Sequence, residues 1–361
     1  MSSAVEEPES GAGVRSEKSA VRVSTGEQRA RVATIFDVAR LAGVSHQTVS
    51  RVLNDLPNVR PSTKLRVEDA IKQLRYRPST AARALVTKRS RTIGLVTTGA
   101  PDFGPSSTVI GFNEAAREAR YAVSMASMLD SDPESVRAAV DLLLRQNVEA
   151  LVLIASRRGA LESIRGIELG VPLIAVESSG RGGFHSVSID QYRGARAAVA
   201  HLISLGHREI LHLSGPSDSM DAIERVRAWR DTLAEHDLQA REPAVGDWSP
   251  GSGYRYGLTL TPPLDFTAIF VGNDQMALGV IQGLVKNGVR VPEDVSIIGF
   301  DDLPEAEFFS PPLTTMRQDF SELGREIMAG LLEVLKDEDA HKHTKSVPQL
   351  VVRESTAPPA A

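Results

Sequence analysis

The 361-residue sequence has no cysteine, which excludes a disulfide scaffold and any thiolate-bound metal centre and suits a reducing compartment. It has no apolar run approaching the roughly 18 residues of a membrane span. The first 30 residues have no apolar h-region, so they are not a secretory signal. They also lack the apolar content that offsets ordering entropy, and residues 1–33 are expected to be a disordered arm. P-loop, dinucleotide glycine fingerprint and nucleophile elbow are all missing. Positive charge is also short. The net charge of −5 looks wrong for a partner of nucleic acid until it is divided along the chain. Lys and Arg far outnumber Asp and Glu across residues 34–91, and the acidic excess lies from residue 92 onward. Such asymmetry places a polyanionic partner on one small segment and leaves the large remainder for another task.

That segment reads as three short helices sharing one core. Thr34 can cap a first helix, with Asp37 three residues on closing a near capping box. Ile35, Val38, Ala39 and Ala42 keep helical period, and Gly43 supplies the stop. Ser45 is placed to cap a second helix running to about Asn54, and a third begins near Ser62 and ends before Pro78. On the second helix Val49, Val52 and Leu53 must face the core, which turns Gln47 and Arg51 outward and leaves His46 at the exposed N-terminal end. Helix-turn-helix readers present those positions to a major groove. Gln bonds adenine bidentately, Arg grips guanine, and His donates or accepts. Ser45, Thr48 and Asn54 suit phosphate contacts, and Thr34, Ser50 and Asn58 belong to the same expected DNA-binding surface.

From Thr92 apolar strands alternate with amphipathic helices. Strand runs include TIGLVTT, YAVSMASM, VEALVLIAS, VPLIAV, EILHLSG, TAIFVGND and VSIIGFDD. Helices are expected at 106–120, 133–146, 158–169, 191–205, 219–236 and 275–287. Such alternation argues for parallel, doubly wound sheets, and residues 92–356 exceed what one sheet needs, so two α/β lobes with a cleft are expected. Ligands in open α/β sheets sit beyond the carboxyl ends of strands. Residues just after the apolar runs are therefore candidates: Thr98, Phe103, Glu177, Asp190, Asn273 and Asp301, with Arg225 on the helix after HLSGP and Trp248 in the GDWS turn. Asp274 is read instead as the cap of the following helix. Carboxylates and Arg take paired hydroxyl hydrogen bonds while an indole covers the apolar face of a ring, which suits a saccharide effector. Asp301 and Asp302 are adjacent on an extended segment and point opposite ways, so they make a poor acid/base pair for glycoside hydrolysis. An extracellular solute-binding protein would need no basic reader. No catalytic residue, metal ligand or cofactor is expected.

The segment TIFDVARLAGVSHQTVSRVLN, the third helix ending in LRYRPS, and ARAL resemble the LacI/GalR family of repressors. Further matches are LGHREILHLSGP, GDWSPGSGY, FVGNDQMALG, VRVPEDVSIIGFDD and PPLTTMRQD, so the resemblance runs from residue 34 to about 356. It implies a helix-turn-helix head at 34–78 whose His46, Gln47 and Arg51 contact bases. It implies a hinge helix and linker at 79–91, with Leu85 wedged into the minor groove and kinking the duplex. The core at 92–356 is implied to be periplasmic-binding-protein-like, with two lobes joined by three crossing strands and a tail at 357–361. Residues 92–189 and about 318–347 would form one lobe, and 190–317 with PQLVVRES the other. Arg225, Trp248, Asn273 and Asp301 would contact a sugar effector. The expected protein is a cytoplasmic, nucleoid-associated homodimeric repressor on near-palindromic operator DNA, with no membrane partner. One recognition helix reads only a few base pairs, and two-fold pairing multiplies the discrimination.

Overall fold

The computed structural model describes residues 33–54, 56–77, 89–98, 102–128, 132–154, 157–177, 185–336 and 344–360. All but Ala33 of the expected N-terminal arm, and most of the hinge segment with Leu85, lie outside the described residues. The chain divides into two compact units, residues 1–82 and 83–361.

The first unit is the three-helix head: α1 (Ile35–Ala42), α2 (His46–Leu53) and α3 (Pro61–Leu74). The expected capping box is present, with the Thr34 amide donating to the Asp37 carboxylate at 2.9 Å and the Asp37 amide donating to the Thr34 hydroxyl at 3.3 Å. Gly43 ends α1 at φ 64°, where a side chain would be strained. The Ser45 hydroxyl accepts from the Thr48 amide at 3.2 Å and starts α2. Val38, Ala39 and Ala42 of α1 bury against Val49 and Val52 of α2 and Val67 and Ala70 of α3. These small apolar side chains let short helices approach closely enough to share one core. The third helix begins one residue earlier than expected because Pro61 occupies its first position, where a missing amide hydrogen costs nothing.

The second unit holds two parallel sheets. In the first lobe the strand order is β11-β5-β4-β3-β1-β2. It contains β1 (Thr92–Thr98), β2 (Ala122–Met128), β3 (Ala150–Ile154), β4 (Leu173–Val176), β5 (His185–Ile189) and β11 (Thr344–Ser346). One face packs under α5 (Pro133–Leu144) and α6 (Arg158–Arg165), the other under α4 (Phe103–Glu118) and α11 (Phe320–Val334). The second lobe has order β7-β6-β8-β9, with β6 (Ile210–Ser214), β7 (Ala244–Val245), β8 (Ala268–Val271) and β9 (Ser296–Ile298). Its faces are covered by α7 (Gln191–Ser204) with α8 (Met220–Glu235), and by α9 (Pro250–Thr259) with α10 (Asp274–Lys286). The antiparallel pair β10 (Thr315–Arg317) and β12 (Gln349–Val351) joins this lobe through bridges from Ile298 to Thr314 and from Asp301 to Arg317. The chain passes between lobes after β5, after β10 and after β11.

Both central strands are buried on both faces, which is why β3 (ALVLI) and β8 (AIFV) read as unbroken apolar runs. Helix ends shift from expectation by a few residues: α4 starts at Phe103 rather than 106, and α6 stops at Arg165 rather than 169. Two helices, α9 and α11, go beyond the elements expected from the sequence. The end of the chain is tied down. The Ser355 hydroxyl donates to the Ile297 carbonyl at 2.6 Å, and His207 Nε2 lies 2.9 Å from the Ala357 carbonyl.

Candidate functional site

In the head, α2 buries Val49 and Val52 and leaves His46, Gln47 and Arg51 exposed, as the wheel requires. The His46 ring packs 5.2 Å from Phe36, so its place rests on α1 as well as α2. One Arg51 nitrogen donates to the Pro57 carbonyl at 3.0 Å, which steadies the guanidinium beside the turn after α2. Ser45, Thr48, Arg51 and Asn58 line one shallow groove, where Asn58 holds a left-handed φ of 73°. Asn54 donates to the Ser50 carbonyl at 2.8 Å and so closes α2. Thr34, Ser45 and Thr48 are likewise engaged in local caps.

The second unit contains a cleft with about 740 Å³ of open space, mouth included, at the carboxyl ends of the strands of both lobes. Its floor is a buried polar network. Arg225 and Asp301 lie 3.6 Å apart, with side chains 4% and 7% exposed. Arg225 Nε donates to Gln191 at 3.0 Å, and another of its nitrogens donates to the Gly272 carbonyl. Gln191 donates to Gln318 at 2.8 Å, and Gln318 donates to Asp301 at 2.6 Å. The guanidinium lies 3.8 Å from the centre of the Phe300 ring and 5.5 Å from that of Trp248. Burial pushes the Asp301 carboxyl up to about 7; Arg225 and the Gln318 hydrogen bond oppose the rise, and the Asp221 and Asp102 carboxylates add to it. Burial also raises Asp102, with Arg157 opposing and Asp247 adding.

Local backbone positions these groups. Trp248 holds a φ of 69°, and its indole lies where a side chain on Gly215 would be, 2.1 Å from an added Cβ. Asn273 donates to the Trp248 carbonyl at 3.1 Å while its side-chain oxygen accepts from the Met276 amide at 2.9 Å. Asn273 is therefore the cap of α10, and the assignment of Asp274 to that role is corrected. Asp274 is fully buried, accepting from Thr315 at 2.6 Å and from the Leu303 amide at 2.9 Å. Burial, followed by the nearby Asp301 charge, drives its carboxyl well above the usual range.

Of the eight expected effector residues, Phe103, Glu177, Arg225, Trp248, Asn273 and Asp301 come together around the cleft. Asp190 does not line it. Its carboxylate accepts from the Arg193 amide at 2.9 Å and caps α7, a role that a residue between a strand and a helix takes easily. The Thr98 side chain lies outside the described residues. Among the described residues no cluster of His, Asp and Glu could hold a metal ion, and no helix is long and apolar enough to cross a membrane.

Residues 34–79 match the family model for bacterial regulatory proteins of the lacI family, and residues 199–356 match a periplasmic binding protein-like domain. The lactose operon repressor of Escherichia coli (strain K12) is 34% identical over 330 residues, which span 90% of this chain and 91% of that protein. The chain belongs to the LacI family. The HTH-type transcriptional repressor PurR of Actinobacillus pleuropneumoniae is 34% identical over 337 residues, covering 90% of this chain and 98% of that one. A crystal structure of the Lac repressor dimer bound to operator and the anti-inducer ONPF superposes with a TM-score of 0.83 at 33% identity, covering 91% of this chain and all of that one. The complex of the transcriptional regulator CelR with cellobiose gives a TM-score of 0.67 at 30% identity, over 90% of this chain and 99% of that one. The helical head and parallel-sheet core are thus those of the LacI fold.

This LacI-family cleft also contains residues that the sequence did not single out: Asp102, Ser188, Gln191, Asp221 and Gln318. Asp221 carries a usable signal, since it sits four residues before Arg225 and so on the same face of α8. Gln191 and Gln318 carry none. They meet only because the chain crosses between lobes at both places.

Proposed function

We propose that this chain is a homodimeric, sequence-specific transcriptional repressor whose operator affinity is set by a saccharide effector held between the two lobes. One observation carries the reading: a single chain joins a reader helix with His46, Gln47 and Arg51 exposed to a cleft where Arg225 and Asp301 pair beneath the Trp248 indole. Gln47, Arg51 and His46 read base edges in the major groove. Thr34, Ser45, Thr48, Ser50, Asn54 and Asn58 hold phosphates and set register. Leu85 wedges into the minor groove at the operator centre. In the cleft the Arg225–Asp301 pair takes vicinal hydroxyls, and Trp248 and Phe103 cover the apolar faces of a sugar ring. Relatives whose names record lactose and cellobiose support a saccharide.

Exposed apolar side chains at Tyr254 and Leu258 of α9 and Val285 of α10 support self-association of the second lobe. The protein acts in the cytoplasm on nucleoid DNA and turns nothing over. The effector acts by changing the relation of the dimer's two first lobes and so the spacing of the hinges, which gives reciprocal coupling between cleft and operator. The test is selection of an operator from random duplexes, followed by binding with and without sugars found by thermal-shift screening. A near-palindromic site whose affinity shifts with one saccharide is expected. Steady product release from glycosides, or operator affinity indifferent to every bound sugar, would sink the reading.

A further inference from the structure

We propose, resting on the saccharide reading above, that the effector carries a protonated amine: an amino sugar whose ammonium sits among the carboxylates of the cleft. The charge around the cleft is lopsided. Among the described residues, Asp102 and Glu177 contribute carboxylates from the first lobe, Asp221 and Asp301 from the second, and Arg225 is the one cation in the lining. That cation is already committed. Its Nε serves Gln191, a second nitrogen serves the Gly272 carbonyl, and a third lies 3.6 Å from Asp301. Its remaining N–H groups can meet sugar hydroxyls, but with three nitrogens engaged it offers no free fork for a phosphate or a uronate. Arg157, whose charge reaches Asp102, is held by Asp218 at 2.8 Å.

Two side chains behave as though they await a ligand. Asp102 occupies the cap position of α4, yet its carboxylate accepts nothing from the first-turn amides and lines the cleft instead. An aspartate at that position would gain by capping. Ser188 lines the same cleft, is 1% exposed, and its hydroxyl has no hydrogen-bond partner among the described residues. A buried unpaired hydroxyl costs free energy that a ligand's polar group recovers.

The carboxylates also burden one another. Asp301 and Asp102 are both raised by burial, and a neighbouring carboxylate adds to each. A neutral sugar leaves that repulsion between the lobes in place. An ammonium removes it and makes charge-assisted hydrogen bonds, about twice as strong as neutral ones.

The experiment is calorimetric titration of the full chain at about pH 6.5, where a ring-bound amine stays protonated. Glucosamine and galactosamine, and amino disaccharides, are compared with their neutral parents, N-acetyl forms and 6-phosphates. The amino form is expected to bind at least about tenfold tighter than its neutral and acetylated counterparts, with the ratio narrowing as salt screens the contact. Asp102→Asn and Asp221→Asn are expected to cut that ratio several-fold, and Asp102→Glu to restore it. Melting temperatures show that each variant is folded. Tighter binding of a neutral or phosphorylated sugar overturns the inference and leaves the saccharide reading standing. Failure of every saccharide to bind overturns both. A ratio unchanged in Asp102→Asn and Asp221→Asn removes the placement of the ammonium.

Discussion

The Arg225 guanidinium stands 3.6 Å from the Asp301 carboxylate, and neither side chain is more than a tenth exposed. A buried pair like this stabilises little relative to an apolar substitute, but removing one partner strands the other and costs about 3–5 kcal/mol.

For Asp301 the cost depends on pH, and its direction is fixed. Its folded value of about 7 lies above the ordinary 3.8, so between those values the folded chain holds a proton that the unfolded chain has released. Stability from this group therefore falls as pH rises through that window and levels off above it. Arg225→Met removes the charge that holds Asp301 down, so the window extends upward. Urea unfolding of Arg225→Met is expected to show a larger loss relative to wild type at pH 8 than at pH 6, whereas Arg225→Met/Asp301→Asn, which has no Asp301 carboxyl to titrate, should lose no more at pH 8 than at pH 6. An equal loss at both pH values would show that Asp301 is not the titrating group.

Arg51 is exposed on α2, and it ties the Pro57 carbonyl at 3.0 Å. Arg51→Ala is expected to cost about 1–3 kcal/mol of specific binding and to relax base choice at one position. Arg51→Lys keeps the charge without the planar fork, so it should retain non-specific affinity and still lose that base preference. Operator selection with each variant reads this directly, and a preference unchanged in both would remove Arg51 as a reader.

Legibility of the sequence followed the range over which the information acts. The head was readable because caps and core spacing are local: Thr34, Asp37, Gly43 and Ser45 each act within four residues. Strands such as TIGLVTT were readable because both faces are buried. Helix α9 was not, since Gly251, Gly253 and Gly257 interrupt any apolar period and imitate a loop. Asp190 misled because a strand-to-helix junction serves a cap as well as a site. Gln191 and Gln318 are 127 positions apart, and only the crossings bring them to 2.8 Å.

The glycines of α9 and α10 make opposite predictions. A Cβ on Gly279 would lie 2.0 Å from the Pro250 carbonyl oxygen and 2.5 Å from the Tyr254 amide nitrogen, so the two helix backbones would have to separate. Overpacking of that kind costs about 1–3 kcal/mol or more, which outweighs the roughly 1 kcal/mol that alanine gains over glycine in a helix. On Gly251 the nearest atoms are Arg255 Nη1 at 3.4 Å and Ser249 Oγ at 3.6 Å, and both side chains can yield. Gly279→Ala should lower the unfolding midpoint and Gly251→Ala should hold or raise it. The same sign for both would contradict the close crossing.

Ser355 and His207 fasten the end of the chain by different chemistry. Ser355 is fully buried; its hydroxyl donates to the Ile297 carbonyl at 2.6 Å and accepts from the Thr314 amide at 2.8 Å. Ser355→Ala leaves both backbone groups without that partner, at a cost of about 1–3 kcal/mol. His207 lies between Thr267, Ser296 and the Ala357 carbonyl, and burial, with a smaller push from His201, holds its ring below the ordinary 6.5 while the Ala357 contact opposes. As pH falls the unfolded chain takes up this proton first. The contribution is therefore whole above about 6.5 and is lost as pH drops toward the folded value. His207→Gln cannot titrate, so it should lose less stability than wild type between pH 7 and pH 5, whereas Ser355→Ala should lose the same amount at each. An acid slope unchanged in His207→Gln would mean that the chain end is held without regard to that ring.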